Sequence, residues 1–144
     1  MSDKCFIDTN IFVYAFLDNA SSVSDNEKHR KAREFLKRFH DPADVTISAQ
    51  VCSEYYSALR KNKIKDEDIR KSLLLLMESI DVAPVTHQTV RGAMMLRERY
   101  SFSYWDAQII ASALENECGI LYSEDMQHGQ RIGKQLRILN PFLQ

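Results

Sequence analysis

The sequence predicts an α/β protein, a parallel sheet of about five strands flanked by helices on both faces. Three observations lead there. Apolar runs of strand length recur along the chain, at Phe6-Ile7, Val45-Thr46-Ile47, Val82–Val85, Gly119–Tyr122 and Arg137-Ile138-Leu139. Longer segments between them carry apolar residues at helical spacing. Strands that alternate with helices form parallel sheets, because a parallel connection needs a crossover.

The chain has 144 residues, enough for a full core, and a single domain over 1–144 is expected. Hydrophobic residues at 44% and charged residues at 27% form an ordinary globular mixture, which excludes disorder. No apolar run approaches the roughly 18 residues of a membrane span, so no membrane partner is expected. Met1–Lys4 leads straight into the first strand and leaves no room for a signal peptide, which points to the cytoplasm. Cys5, Cys52 and Cys118 are odd in number and far apart, each in apolar or helical sequence. Buried free thiols fit that pattern better than disulfides or a zinc site.

The first strand ends at Asp8-Thr9-Asn10, residues that start helices, and Ile11–Tyr14 follows as a helical turn. Asp18–Val23 reads as a polar loop. Ser24 and Glu27 have capping-box spacing. The helix they open sets Ala32, Phe35, Leu36 and Phe39 on one face and a run of bases on the other. That basic face reads as a solvated surface ahead of an RNA contact. Asp41-Pro42 ends the helix. After Val45–Ile47, Ser48 caps a helix with Val51, Cys52, Tyr55 and Leu59 inward. Asp66, Glu67 and Asp68 open the next helix, where acids complement the dipole. Leu73, Leu74, Leu76, Met77 and Ile80 are expected in its core face. Thr86 caps a helix with Val90, Ala93, Met94 and Leu96 inward. Ser103 caps the last one, which buries Ile109, Ile110, Ala113 and Leu114. Trp105 reads as core or interface.

Four acids stand out. Asp8 lies between Ile7 and Ile11, where a carboxylate must be paired, metal-bound or at a strand end opening into a cleft. Asp125 likewise follows an apolar strand. Asp106 opens a helix, and on that ground alone it is a capping acid. Glu54, taken alone, is a surface glutamate within reach of Arg60 or Lys61. Ligands of parallel sheets bind beyond the carboxyl ends of the strands, where Asp8 and Asp125 sit. An all-oxygen set without a His or Cys cluster selects Mg²⁺ or Mn²⁺ over zinc. The formal charge is −1. Without the four acids, 16 acids face 19 bases, a formal +3, compatible with an acidic pocket on a body that meets a polyanion.

Taken in order, these segments resemble the PIN-domain ribonucleases, in particular the VapC toxins of toxin–antitoxin pairs. The likeness rests on Phe6–Ile11, Ser48–Glu54, Ser103–Ala111, Leu121–Gly129 and the closing Asn140-Pro141-Phe142. It implies a PIN-like fold and a Mg²⁺ site, with Mn²⁺ as the alternative ion, built from Asp8, Glu54, Asp106 and Asp125. Asp8 and Asp106 match the positions that hold the metal most directly. Glu54 and Asp125 complete the pocket, although Glu124 stands next to Asp125. Thr9, Asn10 and Ser123 would hydrogen-bond the carboxylates or metal waters, or cap their own turns. Gln108 departs from the pattern, since an apolar residue is commoner there; an effect on packing but not on ligation is expected. His128 reads as a turn residue before Gly129.

The resemblance further implies an RNA substrate hydrolysed to 5′-phosphate and 3′-hydroxyl ends, and a cognate antitoxin that blocks the site. The helices around Arg30–Phe39 and Tyr55–Arg60 are expected to take the antitoxin tail. A homodimer is expected as well. A catalytically inactive PIN-like RNA- or protein-binding module is the main alternative. A metal hydrolase of small phosphates is a third.

Overall fold

The computed structural model of the chain describes residues 4–18 and 23–143, and the side chains of all of these except 23–25. Most of the expected Asp18–Val23 loop and the Ser24 end of the capping box therefore lie outside the described residues. The elements in order are β1 (Cys5–Ile7), α1 (Thr9–Phe16), α2 (Val23–Leu36), a 3-10 turn (Pro42–Asp44), β2 (Val45–Ser48), α3 (Ala49–Lys61) and α4 (Asp66–Ser79). They continue with β3 (Asp81–Ala83), α5 (His87–Tyr100), α6 (Tyr104–Glu115), β4 (Ile120–Tyr122), β5 (Arg131–Ile132) and β6 (Leu136–Leu139).

The strands form one sheet in the order β3-β2-β1-β4-β6-β5. Every pairing is parallel except β5 with β6. The sheet thus has one strand more than expected. β5 has only two residues, too few for any periodicity to show. Cys5, Phe6 and Ile7 are all buried, although successive strand residues point to opposite faces. The central strand is therefore covered on both sides. Helices α2 and α3 both pack on α1, α4 packs on α3, α5 packs on α6, and α3 and α6 both meet β2.

The caps follow the sequence. Ser48 accepts from the Val51 N–H at 3.5 Å and Ser103 from the Asp106 N–H at 3.2 Å. Val51, Cys52, Tyr55 and Leu59 are buried as expected. The three cysteines are buried and unbridged. Burial pushes the Cys5 thiol up to about 12 and the Cys118 thiol to about 11, which leaves both inert.

Two helices bury less than expected. On α4 only Ile69 is fully buried, and Leu74 and Met77 are exposed rather than core, as is Leu75 at 64%. Four consecutive leucines turn through about 100° each, so they cannot all face inward. On α5, Val90 and Met94 are exposed, and the stripe that faces inward is Thr89, Ala93 and Leu96. Trp105 is 62% exposed and so is not core. Among the described residues no helix is long and apolar enough to cross a membrane.

Candidate active site

Strands β1 and β4 are neighbours, with Ile7 opposite Tyr122. The ladder runs one step further, since the Asp8 N–H donates to the Tyr122 carbonyl at 2.9 Å. Beyond it the same register continues in side chains. Ser123 Oγ donates to Asp8 Oδ2 at 2.9 Å, and Asn10 Nδ2 donates to Asp125 Oδ2 at 2.8 Å. Each strand end thus supplies one acid and one donor, and each donor serves the acid of the other strand.

Asp8 also caps α1, its Oδ1 accepting from the Thr9 N–H at 2.7 Å. Thr9 turns its own hydroxyl to Glu54 Oε1 at 3.0 Å, which ties α1 to α3. The other Glu54 oxygen accepts from Gln50 Nε2 at 3.3 Å. The expected pairing of Glu54 with Arg60 does not form; Arg60 lies 3.4 Å from Asp66 instead. Glu54 therefore faces the strand ends.

All four candidate acids line one cleft of about 400 Å³, together with Thr9, Asn10, Ser53, Ser57, Ala58 and Lys61. Glu124 is set apart from them: its Oε2 pairs with Lys28 Nζ of α2 at 2.6 Å. That contact distinguishes the two adjacent acids, and Asp125 is the one in the cleft. Ser123, wholly buried, lies behind Asp8. His128 accepts from the Asn140 N–H at 2.8 Å and so stays with its turn, where Gly129 takes a φ of +87°.

Three of the acids are harder to ionise than free carboxyls. Burial pushes Asp8 up to about 6, the charges of Glu54 and Asp106 add to this, and the Thr9 and Ser123 donors offset part of it. Burial raises Asp106, against the Ser103 hydroxyl. Burial and then the Glu124 and Asp106 charges raise Asp125, against Lys28 and Asn10.

Gln50 and Ser57 do not stand out in the sequence, and Lys61 does so only as a partner for Glu54. They sit four residues before and three and seven residues after Glu54, so a helical wheel centred on Glu54 would have found them. Gln108 is buried and donates to Gln50 at 2.9 Å. It belongs to the polar wiring of the cleft, not to apolar packing alone.

The cleft suits a hard divalent cation. Its acids are all oxygen donors, and burial, with neighbouring carboxylates adding to it, raises the proton affinity of Asp8 and Asp125, a cost that a cation would relieve. Among the described residues no group of three or more His, Cys, Asp or Glu side chains is placed to hold a metal ion, so the acids do not form a finished cage. Mg²⁺ does not require one, since it keeps several waters and commonly takes one or two carboxylates.

The PIN-domain family model matches residues 5–131, and the chain belongs to that family. No curated protein sequence matches it significantly. Its fold is similar to that in a toxin–antitoxin complex from Klebsiella pneumoniae, with a TM-score of 0.70 and 18% identity over 96% of this chain and 98% of that one. It is also similar to VapC20, a sarcin-ricin loop cleaving toxin of Mycobacterium tuberculosis, with a TM-score of 0.64 and 20% identity over 82% and 87% of the two chains. VapBC2 from Rickettsia felis, bound to a DNA fragment from their promoter, gives 0.64 and 20% over 94% and 97%. At these identities the likeness is one of fold.

Proposed function

We propose that this chain is a divalent-cation-dependent endoribonuclease and the toxin of a toxin–antitoxin pair. The observation that carries the reading is the convergence of Asp8, Glu54, Asp106 and Asp125, from four separate parts of the chain, on one cleft. Asp8 and Asp106 would hold the ion, Mg²⁺ or Mn²⁺, with Glu54 and Asp125 completing the set. The ion would make a water more acidic and offset charge on the phosphate. The chain's own groups do the rest. Lys61 lines the same cleft and offers the polyanion a cation. Ser53 and Ser57 offer hydroxyls along the same wall. In the hydrolysis the water oxygen bonds to phosphorus as the bond to the 3′-oxygen breaks, the water's proton passes to a cleft carboxylate, and the departing 3′-oxygen takes a proton from solvent. The products carry 5′-phosphate and 3′-hydroxyl ends.

The test is incubation with RNA, with DNA and with a small phosphate ester, each with Mg²⁺ and with EDTA. Cleavage of RNA alone, abolished by EDTA, is expected. Full activity in EDTA, or 2′,3′-cyclic phosphate ends, would overturn the reading. The open arrangement of the acids favours one rival, an inactive binding module. RNA retained but uncut in Mg²⁺ and Mn²⁺ would establish that rival.

The antitoxin belongs to the same proposal, but its place shifts. An apolar groove of about 280 Å³ lies between α1, α3 and α4, lined by Phe12, Phe16, Tyr55, Leu75 and Leu76 among others. Of the two helices singled out in the sequence, only the one carrying Tyr55 lines it. The exposed Met94 and Met95 of α5 are where we place the contact of a homodimer. Sedimentation of the protein alone and with its antitoxin tests both. With RNA as its substrate, the proposed place of action is the cytoplasm.

A further inference from the structure

Gln50 and Gln108 are the buried glutamines among the described residues, at 7% and 6% exposure. One lies on α3 and the other on α6, and they meet beyond the strand ends. Tyr104 Oη donates to Gln108 Oε1 at 2.8 Å. Gln108 Nε2 then faces Gln50 Oε1 at 2.9 Å. That leaves Gln50 Nε2 to donate twice, to Glu54 Oε2 at 3.3 Å and to the Trp105 carbonyl at 3.0 Å. Both of these are acceptors. Turning the Gln50 amide over would set its oxygen against two oxygens and its nitrogen against the Gln108 nitrogen. The chain of bonds therefore has one sense.

The two ends of this chain matter. Glu54 is one wall of the acidic cleft. Trp105 is the residue before Asp106, the opposite acid. A single amide thus spans the helix that carries Glu54 and the first turn that carries Asp106. Thr9 Oγ1 holds the remaining Glu54 oxygen at 3.0 Å, so both oxygens are fixed from behind. Two apolar side chains would fill the same space without the cost of burying two amides. Packing alone gives no reason for them.

We propose that Gln50 and Gln108 are positioning residues, which orient Glu54 and set its separation from Asp106 before a cation arrives. This rests on the cation reading above. Gln50 acts on Glu54 directly, and Gln108 acts only through Gln50. Removing either leaves the acids in place but loosens the pair.

The test is Mn²⁺ binding to the purified whole protein by calorimetry, with metal-free melting curves alongside. Gln50→Met is expected to weaken binding about 10-fold, the usual effect of losing a ligand's supporting hydrogen bond, and Gln108→Met about 3-fold. The double variant should bind no more weakly than Gln50→Met alone, because both changes cut one path. Metal-free melting temperatures should fall in the single variants, each of which leaves a buried amide unpaired, and recover in part in the double variant. Parent-like affinity in both single variants, whatever their melting temperatures, would overturn the inference, as would effects that multiply in the double variant. If Gln108→Met does not fold, Gln108→Glu keeps the shape, has no donor for Gln50 Oε1, and should show the same weakening. A parent protein that binds no Mn²⁺ overturns the cation reading and this inference with it. A parent that binds while the variants match it overturns the inference alone.

Discussion

The floor and the rim of the acidic cleft are built differently. On the floor, Asp8 and Glu54 each have both carboxylate oxygens held, by donors from α1, α3 and the β4 loop. On the rim, Asp125 is held by Asn10 at one oxygen, and Asp106 is steadied by the Ser103 end of its helix. Fixed acids keep a site in shape before an ion enters, and looser ones adjust to what enters. The difference also separates two costs. On the floor burial raises Asp8 to about 6, whereas on the rim exposure softens the effect. Burial, more than mutual repulsion, is the main cause at each of Asp8, Asp106 and Asp125.

The change expected to break the comparison most severely is Asp8→Asn. It should lower RNA cleavage about 10³-fold, equivalent to roughly 4 kcal/mol of barrier. It should also stabilise the metal-free protein near neutral pH. A raised folded pKa means that the folded state binds more protons. Its stabilising contribution is complete below the unfolded value near 3.8 and is lost as pH rises through about 6. Asparagine caps a helix about as well and removes the buried charge, so a gain of about 1–2 kcal/mol near pH 7 is expected in melting curves with EDTA. A loss of stability there would mean that the floor needs its charge.

Asp106→Asn should lower cleavage as far but change metal-free stability by no more than about 0.5 kcal/mol. Relief from burial is offset by the loss of an acid in the first turn. Equal stability gains in the two variants would erase the distinction between floor and rim.

How much of this was legible in the sequence follows from the same contrast. Asp8 and Asp125 could be found because strand ends are local features: an apolar run stops and an acid follows. Asp106 looked like a capping acid and Glu54 like a surface residue, and only the ordered resemblance joined them to the set. The wiring was not legible. The contacts from Ser123 to Asp8 and from Asn10 to Asp125 join residues 115 positions apart and depend on the β1–β4 register, which no local pattern encodes. Gln108 looked like a packing variation because its partner Gln50 is 58 residues away. The fold class was legible because burial on both faces leaves continuous apolar strands. The inward faces of α4 and α5 are narrower than expected because their apolar residues are consecutive, at Leu73–Met77 and Ala93–Leu96, and a consecutive run winds past the width of one face.

Smaller changes sharpen the comparison. Ser123→Ala removes a buried donor to Asp8, and about 10-fold less cleavage with about 1 kcal/mol lower stability is expected. Asn10→Ala removes the corresponding donor on the rim. Its bond is exposed, so a loss of about 3-fold in cleavage and less than about 0.5 kcal/mol in stability is expected. Steady-state rates and melting curves on the same preparations measure both. Equal effects of the two would show that the paired strand ends are equivalent after all.

The central claim is that these carboxylates share a divalent cation, with Asp8 at its base. The most direct measurement is the rise in melting temperature caused by Mg²⁺ in the parent and in Asp8→Asn, at pH about 7.5 and about 5. Binding to the folded state alone adds about 2.7 kcal/mol at a hundredfold excess over Kd. The account predicts a rise of several degrees in the parent near pH 7.5, a smaller one near pH 5 where Asp8 is largely protonated, and none in Asp8→Asn at either pH. An equal rise in both proteins at both pH values, or no rise in the parent, would contradict it.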